Sequence, residues 1–160
     1  MELYKLREDE TELLKEFLYE AIFVPDGLEP PDRSIISQPE LSVYYENYGC
    51  GKADNCIVAD DCGRVVGAVW SRIMNDYGHL DDETPSLAIS LYKEYRGRGI
   101  GTQLMRQMLS ILKGQGYRQA SLSVQKVNYA VRMYKAIGFR IVHETEEEFI
   151  MVCDLKELSL

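Results

Sequence analysis

Along the chain the spacing of apolar positions changes several times, and each change marks an element. Glu2 to Arg7 alternates as a strand does. Asp9 is placed to cap a helix running to about Tyr19, with Leu13, Leu14, Phe17 and Leu18 on its inward face. Three prolines and a glycine make Val24 to Asp32 a loop, and Pro39 suits the first turn of a second helix reaching about Asn47. Asn55 to Ala59 and Val65 to Ile73 are apolar runs around Asp60-Asp61-Cys62-Gly63, which predicts a hairpin. Asn75 to Glu83 is a polar loop leading into a strand over Ser86 to Leu91. Then Ile100, Leu104, Met108 and Leu112, with Met105 and Leu109, form one helical stripe that stops at Gly114 and Gly116. Gln119 to Val124 reads as a strand, and Asn128 to Gly138 as a capped helix with Ala130, Met133, Tyr134 and Ile137 on one face. Phe139 to His143 and Phe149 to Leu155 make a closing hairpin, its acidic connection Glu144 to Glu148 being a solvated turn.

The resulting order, β-α-α-β-β-β-α-β-α-β-β, is a mixed α/β (α+β) architecture with no internal repeat or linker, so residues 1–160 are expected to form one domain. A hydrophobic share of 46% and a charged share of 28% fit an ordinary globular core. No apolar run approaches a membrane span, and Met1 to Lys5 shows no basic-then-apolar leader pattern, so a cytoplasmic location without membrane association is expected. Cys50, Cys56, Cys62 and Cys153 form no Cys-x-x-Cys pair, and His79 and His143 add no ligand spacing. Free thiols in a reducing compartment are expected, and no metal site.

Charge is unevenly spread. Between Lys93 and Arg140 ten Lys or Arg stand against Glu94 alone, a balance of +9 that leaves −17 on the rest of a chain totalling −8. The acidic remainder argues against nucleic-acid binding and suits a cationic partner.

The basic segment opens with Tyr95-Arg96-Gly97-Arg98-Gly99-Ile100-Gly101-Thr102, between the strand and the striped helix. Glycines at alternate positions bare the backbone where a helix begins. The first N–H groups of a helix lack internal partners, and its dipole adds partial positive charge. With Arg96 and Arg98, such a turn suits an anion, and a pyrophosphate best. The dinucleotide spacing Gly-x-Gly-x-x-Gly is not met, no carboxylate follows near Arg118 to Ser121, and no Gly-Lys-Ser/Thr is present.

What remains is Arg-x-x-Gly-x-Gly at Arg96, Gly99 and Gly101, followed by Asn128 to Phe139 with Tyr134 and Gly138-Phe139. These two segments and the element order resemble the GNAT superfamily of acetyl-CoA-dependent N-acetyltransferases. The resemblance implies a mostly antiparallel sheet of about seven strands, flanked by about four helices and splayed between its fourth and fifth strands. It implies acetyl-CoA as cosubstrate, with the backbone of Ile89 and Leu91 holding pantetheine and acetyl carbonyl. The backbone of Arg96, Gly97, Arg98, Gly99, Ile100, Gly101 and Thr102 would hold the pyrophosphate. Asn128 corresponds to a polar CoA contact, or equally to a plain helix cap. Tyr134 corresponds to the general acid that protonates the departing thiolate. Glu83 stands where some relatives carry a base, with Asp81, Asp82 and His79 crowding it so that repulsion raises a carboxyl pKa; water is the alternative base. The acceptor is expected to be a primary amine, cationic in character, of a small molecule, peptide or protein, and a homodimer is an expectation of the same kind. A CoA-binding regulatory module without catalysis is the competing reading.

Overall fold

The computed structural model describes residues 1–158. Strand β1 (Glu2–Lys5) leads through a 3₁₀ turn at Glu8–Glu10 into α1 (Leu13–Ala21), and a second 3₁₀ turn at Arg33–Ser37 precedes the short α2 (Pro39–Ser42). Strands β2 (Asn55–Asp61), β3 (Arg64–Arg72) and β4 (Ser86–Leu91) follow. After a 3₁₀ turn at Lys93–Tyr95 come α3 (Ile100–Gly114), β5 (Gln119–Gln125), α4 (Ala130–Ile137), β6 (Phe139–Glu144) and β7 (Glu148–Asp154). The seven strands form one sheet in the order β1-β2-β3-β4-β5-β7-β6. Every neighbouring pair is antiparallel except β4 and β5. The mixed, mostly antiparallel architecture expected from the sequence is the one observed.

Both faces of the sheet are covered, which is why its central strands read as nearly continuous apolar runs. In β2, Ile57 and Ala59 face the core under α3 and α4, whereas Cys56 and Val58 face the core under α1. The α3 stripe of Leu104, Met105, Met108, Leu109 and Leu112 is fully buried in the first core. Trp70 anchors the second, its Nε1 donating to the Tyr44 carbonyl at 3.1 Å.

Two elements depart from the sequence reading. The Glu10 carboxyl accepts from the Arg7 backbone N–H at 3.0 Å and from the Tyr4 hydroxyl at 2.8 Å. That pinning to β1 produces a tight turn first, so the helix begins at Leu13 rather than after Asp9. The second helix stops at Ser42 instead of reaching Asn47. The Arg72 guanidinium takes the carbonyls of Val43 and Glu46 at 2.9 and 2.6 Å, so Val43, whose oxygen would serve the next turn of a longer helix, is committed elsewhere.

Candidate active site

The parallel strands β4 and β5 meet at one register position, Ser86 opposite Ser121, where the Ser121 N–H donates to the Pro85 carbonyl at 2.9 Å. Beyond it they diverge. A cleft of about 270 Å³ opens between Leu87–Ile89 and Leu122–Gln125. Leu18, Ile22, Ile35 and Leu41 from the α1–α2 region wall one part, and Asn128 and Tyr134 another. Ile89 lines this cleft. Leu91 is buried beside it, 8% exposed, and its carbonyl accepts from Arg96 Nε at 3.0 Å.

The glycine turn lies between β4 and α3. Gly97 and Gly99 have φ of 76° and 83°, in the left-handed region, and a Cβ on either would meet nothing within 4 Å. The turn is therefore an open backbone cradle rather than a packing device. The first intrahelical bond runs from the Gln103 N–H to the Gly99 carbonyl, and the N–H groups from Gly97 to Thr102 meet no acceptor among the described residues. Ile100 and Gly101 face inward. A Cβ on Gly101 would sit 3.3 Å from Met133 Sδ, so glycine here also lets α3 approach α4. Arg96 is engaged, bonded to Leu91 and 3.8 Å from Glu20, whereas Arg98 lies over the Tyr95 ring at 5.2 Å without an acid partner among the described residues. Unpaired donors in an uncrowded, cationic turn fit a pyrophosphate-bearing cofactor.

Tyr134 is 7% exposed and its ring packs against Phe139, centroids 5.8 Å apart. Its hydroxyl makes no hydrogen bond with any described residue, and it lines the cleft. Burial, with Tyr129 adding to it, pushes the phenol well above its ordinary pKa, so it carries its proton throughout the physiological range. Asn128 Oδ1 accepts from the Ala130 N–H at 2.9 Å. The side chain caps α4 as the sequence suggested while also lining the cleft.

The structure does not bring Glu83 to Tyr134. Glu83 precedes Ser86, at the closed end of the splay, and is exposed in a separate depression with Lys52, Gln115 and Tyr117. Nor does repulsion raise Asp81 beside it. A hydrogen bond from the Thr84 side chain holds the Asp81 carboxyl below its usual range, and the Glu83 N–H adds to it at 2.8 Å. The carboxyl raised in this loop is Asp76, lifted by burial against hydrogen bonds from Ser86 Oγ at 2.8 Å and the Tyr44 hydroxyl at 2.9 Å.

Of the three tyrosines near α2, Tyr44 alone reaches the cleft. Tyr45 donates to the Ile36 carbonyl, and Tyr48 carries Arg72 on its ring. Glu148, assigned by its acidic neighbours to a solvated turn, instead begins β7 opposite Gln125 and lines the cleft. The alternation of β7 carried back one residue was the signal for it; the charge run masked that signal.

Comparison with known proteins bears on the same segments. The model of the acetyltransferase (GNAT) family matches residues 15–139. Mouse N-acetyltransferase 8 is 31% identical over 94 residues, which make up 58% of this chain and 40% of that protein. This chain thus spans less than half the length of the curated relatives it matches. Among solved structures, the PaiA N-acetyltransferase of Thermoplasma acidophilum in complex with coenzyme A superposes with a TM-score of 0.70 at 20% identity, covering 96% of this chain and 98% of the other. The yncA structure from Salmonella typhimurium, with its cofactor acetyl-CoA, gives 0.68 at 16%, covering 100% and 96%. With the family match spanning both glycine turn and tyrosine helix, the chain belongs to the acetyltransferase (GNAT) family.

Proposed function

We propose that this protein transfers the acetyl group of acetyl-CoA to a primary amine by direct attack in a ternary complex. The carrying observation is the pairing, across the β4–β5 splay, of a donor-rich glycine turn with a buried tyrosine whose hydroxyl has no protein partner. Family membership and the coenzyme A bound by its structural relative support the cosubstrate. The N–H groups of Gly97 to Thr102 hold the pyrophosphate, with Arg98 the freer cation and Arg96 fixed as a strut between Leu91 and Glu20. The free edge of Ile89 and the N–H of Leu91, whose carbonyl is taken by Arg96, receive the pantetheine amides, and Asn128 lies beside its path.

Acetyl-CoA supplies a thioester carbonyl open to an amine. Holding the two in one cleft replaces a bimolecular encounter by a positioned one. The amine lone pair forms the C–N bond, the C–S bond breaks, and Tyr134 gives its proton to the departing thiolate. Glu83 lies outside the cleft, and the proton released from the attacking nitrogen leaves to water. Four free cysteines suit a reducing compartment such as the cytoplasm.

Thiol release by the purified protein, measured with acetyl-CoA over a panel of amines, tests the reading. Amine-dependent release with matching acetylated product is expected. Tight CoA binding without release for any amine would instead identify a regulatory module.

A further inference from the structure

The cleft that holds Tyr134 is apolar on its α1–α2 side and carries charge at one place. Leu18, Ile22, Ile35 and Leu41 form that wall. Among the described residues lining the cleft, Glu148 is the one charged side chain. Its Oε1 accepts from Gln125 Nε2 at 3.1 Å, and none of the ion pairs among the described residues uses it. Lys126, next after Gln125 and bonded through its N–H to the Glu147 carbonyl, is committed to Glu144 at 2.8 Å. Tyr44, on the facing wall, turns its hydroxyl to Asp76 and lies within electrostatic reach of Glu148.

Resting on the acetyltransferase reading, we infer that Glu148 receives the acceptor's ammonium group and that the acceptor is a primary amine carried on an apolar body. A half-buried carboxyl with one neutral donor and no cation attracts a cation, and the apolar wall facing it strengthens that attraction. The wall offers no second acid for a polyamine and no cation for an anionic amine. A volume of about 270 Å³ lies just below the usual ligand-cavity range of roughly 300–1,000 Å³ and is shared with the thioester end of the cosubstrate, so only a small amine or the end of a peptide fits beside it. Glu148 thereby places the nitrogen in the same cleft as the Tyr134 hydroxyl, whose proton the thiolate needs.

The substitution Glu148→Gln keeps the side chain's shape and leaves its backbone turn intact, since that turn rests on the Glu148 N–H to Thr145 Oγ1 and the Thr145 N–H to the Glu148 carbonyl. Steady-state acetylation is measured for parent and variant with 2-phenylethylamine, a short peptide beginning with leucine, spermidine and glycine. The parent should favour 2-phenylethylamine or the leucine peptide over spermidine and glycine, the better of the two identifying a free amine or a chain end. In the variant, KM for that acceptor should rise roughly 10–100-fold, as for loss of a charged hydrogen bond. The KM for acetyl-CoA and the melting temperature should stay unchanged, and the salt dependence of the acceptor KM should flatten. A variant KM within about twofold of the parent, or a parent preferring spermidine or glycine, overturns the inference while leaving acetyl transfer standing. No release with any amine overturns the acetyltransferase reading, and this inference with it.

Discussion

At the scale of single residues, Tyr134 joins a packed ring to a hydroxyl with no partner among the described residues, open to the cleft rather than sealed in the core. Burial raises its pKa above the ordinary value of about 10. The acid form is therefore the one present below that value, and a rise in pH from 7 to 9 should not slow the reaction through this group. Over that range deprotonation of the acceptor amine should instead raise kcat/KM, which a pH–rate profile checks. Glu83→Gln should leave kcat within about twofold of the parent, because its side chain sits in a different depression. A loss of about tenfold or more would return Glu83 to the proton path. Tyr134 was legible in the sequence because its helix, cap and stop are local features between Asn128 and Gly138. Glu148 was not, because its place depends on pairing with Gln125, distant in sequence, while its neighbours advertise a solvated turn.

At the scale of elements, the glycine turn exposes backbone rather than side chains. Gly99 caps α3 with φ of 83° and opens outward. Gly99→Glu places a carboxylate and a strained left-handed residue at the proposed anion site. CoA affinity should fall by about 100-fold or more, of the order of two lost charged contacts, and calorimetric titration with CoA reads it. Affinity equal to the parent's in a folded variant would move the site elsewhere. The shortened α2 has a different cause. Arg72 is 11% exposed by its side chain and bonds Asp54 in a fork at 3.1 and 3.2 Å, while holding the carbonyls after α2. Arg72→Met should therefore cost about 3 kcal/mol or more, as for a buried pair stripped of one partner, read as a lowered urea midpoint at unchanged slope. Helix patterns alone could not show this, since the competing donor comes from β3.

At the scale of the whole molecule, the proposed function rests on one interruption in an otherwise antiparallel sheet. Element order and apolar period were sufficient to predict the mixed architecture, but the width and lining of the splay depend on how α1, α2 and β7 close around it. The basic stretch from Lys93 to Arg140 becomes α3, β5 and α4, and two of its cations reach acids outside it, Arg96 to Glu20 and Lys126 to Glu144. The most direct test joins cleft, cosubstrate and acid in a single-turnover thiol-release measurement on Tyr134→Phe, with acetyl-CoA bound and a good amine added. Removing only the phenolic oxygen should slow release on the order of 100-fold, the low end for a positioned acid, with CoA affinity and melting temperature unchanged. Release within about twofold of the parent in that same single turnover would make Tyr134 a packing residue and contradict the account.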